Sequence, residues 1–389
     1  MHPLSSRPTR RQFLETSALL ATLSISPTSG REVKNVESLS WHNVQEWGVE
    51  GKGFGDTGKY FDRLPARAES RVRKPVWNLS RHSSGLSTRF KTNSPSVHVR
   101  YRLTSDQLAM PHMPATGASG VDLYARDQKP NPYGGPILPG HWRWAAVAMP
   151  RSTDVTTELI RSSHALAESA SRDYLLYLPL YNGIESLEIG VAKTANFEGI
   201  DPRPQKPIVF YGTSIMQGAC ASRPGMSISS ILGRRLDRPV INLGFSGNGT
   251  METSLGEFLI ELDPAIYVID CLPNMNAQQV RERCQPLVAQ LRQHRPTTPI
   301  LLVADRVNAG AWLRKGKESF HQGNRQALRA EYDRMVSKGW SNLHYLDGKG
   351  LIGTDGEATT DGSHPSDLGM VRYADAYEPV LRRLLAGNP

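Results

Sequence analysis

The chain has 389 residues, of which 39% are hydrophobic and 21% charged, and its 46 Lys and Arg against 37 Asp and Glu give a formal net charge of +9. That length exceeds one average domain and suits two, and the composition excludes a disordered or fibrous chain. The basic residues are scattered, with no dense tract and no nucleic-acid-binding module. The charge therefore reads as a solvated surface suited to acidic polysaccharides, and no nucleic-acid partner is expected.

Residues 1–30 read as a targeting segment. Arg10 and Arg11 precede Phe13 and Leu14, and the apolar run SALLATLSIS follows. That run is about half a membrane span, too short for a stable transmembrane helix. The pattern resembles a twin-arginine export signal, with cleavage expected within residues 24–31. The mature protein is therefore expected to be periplasmic or extracellular, without stable membrane insertion.

Residues 36–195 favour short strands. STRFKT, SVHVRYRL, GVDLYAR, HWRWAAVA, DYLLYLPL and SLEIGVA alternate or run apolar, and Pro, Gly and Ser clusters such as MPHMPATGASG and DQKPNPYGGPILPG separate them. This predicts an all-β sandwich. Its aromatic residues, Trp41, Trp47, Trp77, Tyr124, Tyr133, Trp142 and Trp144, suit either a core or a platform for sugar rings. The polar, proline-containing NFEGIDPRPQK, residues 196–206, reads as a linker. Over 207–387 the pattern changes to alternating strands (PIVFY, PVINLGF, AIYVIDCL, PILLVAD, NLHYLD) and helices. Such an α/β order predicts a parallel sheet with helices on both faces.

In open parallel sheets, functional groups gather beyond the carboxyl ends of the strands. Here PIVFY leads into Gly212-Thr213-Ser214, PVINLGF into Ser246-Gly247-Asn248-Gly249, and AIYVIDCL into Pro273-Asn274-Met275. Asp361-Gly362-Ser363-His364 stands before the last helix. Each has an ordinary structural use alone: a turn serine, a positive-φ glycine, a capping asparagine, a turn carboxylate. Together they fit one reaction. A serine hydroxyl needs a base, which His364 supplies, and the ring must be held in one tautomer, a task for Asp361 three residues earlier. The oxyanion formed at an ester carbonyl needs donors, and the Ser214 and Gly247 N–H groups with the Asn274 amide supply three.

The stretches YGTSI, NLGFSGNG, DCLPNM and DGSHP, in that order, resemble the SGNH (GDSL-like) hydrolase superfamily. The resemblance implies a flavodoxin-like sheet with Ser214 as nucleophile, His364 and Asp361 as base partners, and Ser214, Gly247 and Asn274 forming the oxyanion hole. Two positions depart from the pattern: Thr213 stands where the family has aspartate, and the G-x-N-D block reads Leu272-Pro273-Asn274-Met275. GVDLYAR, residues 120–126, is similar to the GxDLY-type domain that precedes some bacterial SGNH modules. The resulting expectation is an exported serine esterase that removes small acyl groups, acetyl foremost, from carbohydrates or glycosides without a cofactor. A lipase or lysophospholipase, or a glycan-binding protein with an inactive hydrolase half, stands as the alternative.

His112, Arg223 and Arg306 are further candidates for binding substrate, the arginines because they closely follow the first and fourth strands of the second half. No metal is expected, since no ligand spacing occurs. Cys220, Cys271 and Cys284 cannot all pair with one another; they read as buried free thiols, with a Cys220–Cys271 bridge left open.

Overall fold

The computed structural model describes residues 38–126, 141–161 and 171–387. The export-signal pattern, Tyr133 and the DQKPNPYGGPILPG cluster lie outside the described residues. In the first half the strands are β1 (Leu39–Asn43), β2 (Ser87–Thr92), β3 (Ser96–Leu103), β4 (Asp122–Arg126), β5 (Trp142–Val147), β6 (Asp154–Arg161), β7 (Arg172–Tyr177), β8 (Ile184–Ala192) and β9 (Phe197–Ile200). They form two antiparallel sheets, ordered β1-β8-β3-β6 and β5-β4-β7-β2-β9. Alternation explains how the sheets pack. Val97, Val99, Tyr101 and Leu103 on β3 meet Phe90, Leu123, Tyr174 and Leu176 of the other sheet in one buried core.

The expected linker is partly a strand. Within residues 196–206, β9 pairs antiparallel with β2, from Arg89↔Ile200 to Thr92↔Phe197. Phe197 explains the difference, because its ring stacks on His42 with centroids 3.9 Å apart and on Phe90 at 5.7 Å. An apolar ring that closes the sandwich edge outweighs the polar composition around it.

The first half also departs from pure β structure between residues 54 and 80, where helix α1 (Lys74–Ser80) forms. Phe54, Leu64, Ala68, Val72, Val76 and Trp77 leave the sandwich and join a core cluster with the second half. A second short helix, α2 (Ala115–Ala118), follows β3.

The second half is a five-stranded parallel sheet made of β10 (Ile208–Gly212), β11 (Val240–Gly244), β12 (Ile266–Asp270), β13 (Ile300–Val303) and β14 (Leu343–Leu346). Its order, β11-β10-β12-β13-β14, is the flavodoxin-like order, with its switch point between β10 and β12. Helices α3 (Ser214–Gln217), α4 (Ile228–Arg235), α5 (Thr253–Leu259), α6 (Ala277–His294), α7 (Lys315–Ser337) and α8 (Asp367–Ala386) connect and flank these strands. Both sheet faces are covered: Val209 and Tyr211 of β10 enter one core, while Ile208 and Phe210 enter the other. That is why this strand reads as a continuous apolar run. Among the described residues no helix is long and apolar enough to cross a membrane.

Candidate active site

Ser214 opens α3, the one-turn helix after β10. Thr213 caps that helix, its Oγ1 accepting from the Ile215 N–H at 3.3 Å, and Gly218 ends it with a φ of 111°. The threonine thus does what an aspartate would do at an N-cap, which accounts for the departure from the family pattern. As the first residue of the helix, Ser214 has a backbone N–H without an intrahelical acceptor.

The last loop brings the base. His364 Nε2 lies 2.8 Å from Ser214 Oγ, and its Nδ1 lies 2.7 Å from Asp361 Oδ2. The other carboxylate oxygen of Asp361 accepts from the Ser363 and His364 backbone N–H groups at 2.9 and 2.8 Å. Partial burial works against the charge on Asp361, but these bonds and the His364 ring outweigh it and hold the pKa down to about 2. An ionised carboxylate therefore faces Nδ1 throughout the working range and selects the tautomer whose Nε2 lone pair points at the serine.

The loop after β11 closes over the end of β10. Phe245 N–H donates to the Gly212 carbonyl at 3.0 Å, and a Cβ at Gly249 would stand 2.0 Å from that same oxygen. Gly247 has a φ of 67° and faces open space. Asn274, after β12, donates from Nδ2 to the Asn248 carbonyl at 2.7 Å, so one amide hydrogen anchors the loop and the second is left for another acceptor. The following helix α6 is capped by Asn276, with Gln279 completing a capping box, so Asn274 is not used as the cap. The blocks from β10, β11, β12 and the last loop therefore converge at the switch point of the sheet.

The three substrate-binding candidates fare differently. His112, from the loop ahead of α2, lies with its ring centroid 5.9 Å from that of His364, which brings the first half to the mouth of the site. Arg223 is engaged by the first half. Its NH1 donates to Asp122 Oδ2 at 2.9 Å and to Tyr124 Oη at 2.5 Å, within the contact between the halves. Arg306 is also committed elsewhere. It is 2% exposed, ion-paired to Asp305 and hydrogen-bonded to the Ser363 side chain, with Nε 3.3 Å from the Ser363 carbonyl. Burial alone would lower its pKa, but Asp305 more than offsets this and raises it. It buttresses the His364 loop from inside.

Sequence reading missed the residues that hold β11 and the loop after it. Arg63 is buried and donates to the carbonyls of Leu79, His82, Asn242 and Gly244, the last two at 3.0 and 2.8 Å. Burial lowers its pKa to about 9 despite the nearby Asp62 and Tyr181. Gln217, in α3, bridges the halves. Its Oε1 accepts from Ser246 N–H at 2.9 Å, and its Nε2 donates to the Leu180 carbonyl and to His82 Nδ1, both at 3.1 Å. Burial, helped by the Arg63 charge, lowers the His82 pKa to about 4 and keeps the lone pair that accepts this bond. Gln217 stands three residues after Ser214, close to the YGTSI block, but no pattern in the first half marks Arg63 or His82.

The three cysteines are free and buried, and no Cys220–Cys271 bridge forms. Among the described residues no cluster of three or more His, Cys, Asp or Glu side chains is arranged to hold a metal ion. Trp77 is buried in the core, while Trp144, 52% exposed, donates from Nε1 to Asp122 Oδ1 at 3.0 Å.

A flavodoxin-like sheet with a serine, histidine and aspartate relay at its switch point defines a class of hydrolases. The model of the GDSL-like lipase/acylhydrolase family matches residues 205–382, and that of the GxDLY N-terminus of SGNH-hydrolase-type esterases matches 39–197. A protein from Bacteroides ovatus described as a GDSL-like lipase is 31% identical, with a TM-score of 0.81 over 90% of this chain and 98% of its own. The chain therefore belongs to the SGNH (GDSL-like) hydrolase family and is an esterase of that type with a GxDLY N-terminal domain. Two further structures share the fold. A salicylyl-acyltransferase from a tetracycline biosynthetic pathway is 17% identical, with a TM-score of 0.65 over 89% of this chain and 95% of its own. An acetyl xylan esterase from the rumen bacterium Butyrivibrio proteoclasticus is 11% identical, with a TM-score of 0.55 over 90% of this chain and 99% of its own. No match was found among the curated proteins.

Proposed function

We propose that the protein is an exported serine esterase that removes small acyl groups, acetyl foremost, from carbohydrates or glycosides. The observation that carries the reading is the unbroken relay from Asp361 through His364 to Ser214 Oγ, at 2.7 and 2.8 Å. Ser214 Oγ attacks the ester carbonyl carbon and gives its proton to His364 Nε2. The carbonyl electrons move onto oxygen, where the Ser214 and Gly247 N–H groups and the second Asn274 amide hydrogen receive the charge. On collapse the ester C–O bond breaks, His364 protonates the departing sugar alkoxide, and the acyl group stays on Ser214. Water then attacks the acyl-enzyme, passing a proton to His364, and Ser214 leaves with that proton as carboxylic acid is released.

A small acyl group suits a nucleophile that is only 6% exposed. The shared fold of the Butyrivibrio acetyl xylan esterase supports a sugar as the alcohol portion, and the twin-arginine pattern supports export. Acetate release from acetylated oligosaccharides, measured beside hydrolysis of p-nitrophenyl acetate through palmitate, tests the reading. Serine-dependent release of acetate with activity falling as the chain lengthens is expected. Hydrolysis of long-chain lipids without deacetylation of any glycan would overturn it in favour of a lipase.

A further inference from the structure

The polar side chains of the GxDLY motif face the hydrolase half. Asp122 is 0% exposed, and its Oδ2 accepts from Arg223 NH1 at 2.9 Å and from the Gly225 backbone N–H at 2.8 Å. Tyr124 Oη takes a second bond from Arg223 NH1, and its ring presses on Gly225, where a Cβ would stand 2.3 Å from Cε2. Gly225 therefore admits no side chain while the motif is docked. Leu123, between the two, is buried in the sandwich core. The motif thus plants one foot in the sandwich and grips Arg223 and Gly225 with the other two.

The gripped loop touches the chemistry from both sides. It follows α3, so Ser222 stands eight residues after Ser214. Thr116 Oγ1, also from the first half, donates to the Ser222 carbonyl at 2.6 Å. Ser222 N–H in turn donates to Asp367 Oδ1 at 2.9 Å, and its hydroxyl donates to the other oxygen of that carboxylate. Asp367 is the first residue of α8, three after His364. One loop therefore ties the nucleophile segment to the base segment, and the sandwich domain holds the loop.

We propose that Asp122 and Tyr124 of the GxDLY motif are positioning residues that fix the separation of Ser214 and His364 by holding Arg223 and Gly225, and through them the adjoining Ser222 on Asp367. The proposal rests on the esterase reading for its catalytic consequence, but its geometric content stands apart from it. The motif is there to complete a hydrolase site across a domain boundary, which gives the sandwich a role other than binding the substrate.

The full-length chain with Asp122→Asn or Tyr124→Phe tests this. Tyr124→Phe keeps the ring and removes only the acceptor for Arg223; Asp122→Asn keeps the shape and replaces carboxylate with amide. With p-nitrophenyl acetate well below the melting temperature, kcat is expected to fall about tenfold or more while KM stays within about twofold, since small misplacements of reacting groups are costly. Crystals of the variants are expected to show the Oγ–Nε2 distance lengthened from 2.8 Å. A lowered melting temperature with kcat and that distance unchanged would show a purely structural interface and overturn the proposal. If Asp122→Asn does not fold, Tyr124→Phe decides alone. Loss of the esterase reading looks different: turnover by the parent protein would be missing or would survive Ser214→Ala, and the Oγ–Nε2 distance would still decide the clamp.

Discussion

The two halves of the molecule approach the same site with different means. The parallel sheet delivers the proposed reacting groups at its strand ends: Ser214 after β10, Gly247 after β11 and Asn274 after β12. The first half delivers mainly support, through Arg63 beneath Gly244, His82 against Gln217 and Asp122 against Gly225. Arg223 and Arg306 make the difference concrete. Each follows a strand of the second half, and each is bonded to protein, the half-buried Arg223 to the sandwich and the buried Arg306 to the loop that carries His364. A strand-end position gives a residue access to the site, but the partner opposite decides whether it meets substrate or protein.

The comparison breaks most decisively at Ser214. Ser214→Ala is expected to lower kcat by about 10⁶, because members of such a relay act as a unit. Turnover of p-nitrophenyl acetate by purified protein measures it, and retention of more than a hundredth of the parent rate would show that Ser214 is not the reacting group. Support residues should answer in stability instead. Arg306→Met leaves the buried Asp305 with His321 as its side-chain partner among the described residues. Removing one member of a buried pair costs about 3–5 kcal/mol, which urea unfolding would register. A stable Arg306→Met protein with raised KM would instead return the arginine to the substrate. Asn274→Ala tests the line between the two kinds of role. Loss of one oxyanion donor is expected to cost about 10²–10³ in kcat with little change in KM. A loss of stability without that change in kcat would mean that its bond to Asn248 is its main use.

The same contrast explains what could be read from the sequence. Four of the five parallel strands, β10 to β13, were legible because each is buried along its whole length and so appears as an apolar run bounded by turns; the edge strand β14, LHYL, is half-buried and was marked by its alternation. The serine, glycine, asparagine and Asp-x-x-His blocks were legible because strand ends are where such sheets place chemistry. In the first half, β6 escaped notice because DVTTELIR is half-buried and mixes charge with apolar residues. The strand β9 was hidden by its polar neighbours, with only Phe197 to mark it. Arg63 was illegible for a deeper reason. Its partners are four backbone carbonyls, two of them about 180 residues away, and a carbonyl leaves no trace in residue identity. Contacts to backbone, unlike strand periodicity, are written in the fold alone.

The seam between the halves should also respond to pH, through His82. Its folded-state pKa, about 4, lies below the ordinary 6.5, so the unfolded chain binds a proton that the folded one refuses. The stability this group contributes is complete above about pH 6.5 and is lost as pH falls toward 4. Asp270 acts in the opposite sense. Burial raises its pKa to about 7, so the folded state holds an extra proton between the ordinary carboxylate range and pH 7, favouring folding as pH falls. Asp361 and Glu252, both held down to about 2 in the fold, contribute stability that is lost only as pH falls below the ordinary carboxylate values, at the lower edge of this window. His42, His98 and His344 are also shifted down by burial, and Asp62 and Asp122 up, so the effect of His82 must be isolated by difference. His82→Gln cannot titrate, yet its side-chain carbonyl can accept from Gln217. The urea midpoint of this variant is expected to fall less between pH 7 and pH 4.5 than that of the parent. Parallel profiles would mean that protonating His82 costs the fold nothing, and that the bond from Gln217 is not what keeps the sandwich side of the seam in register with the oxyanion loop.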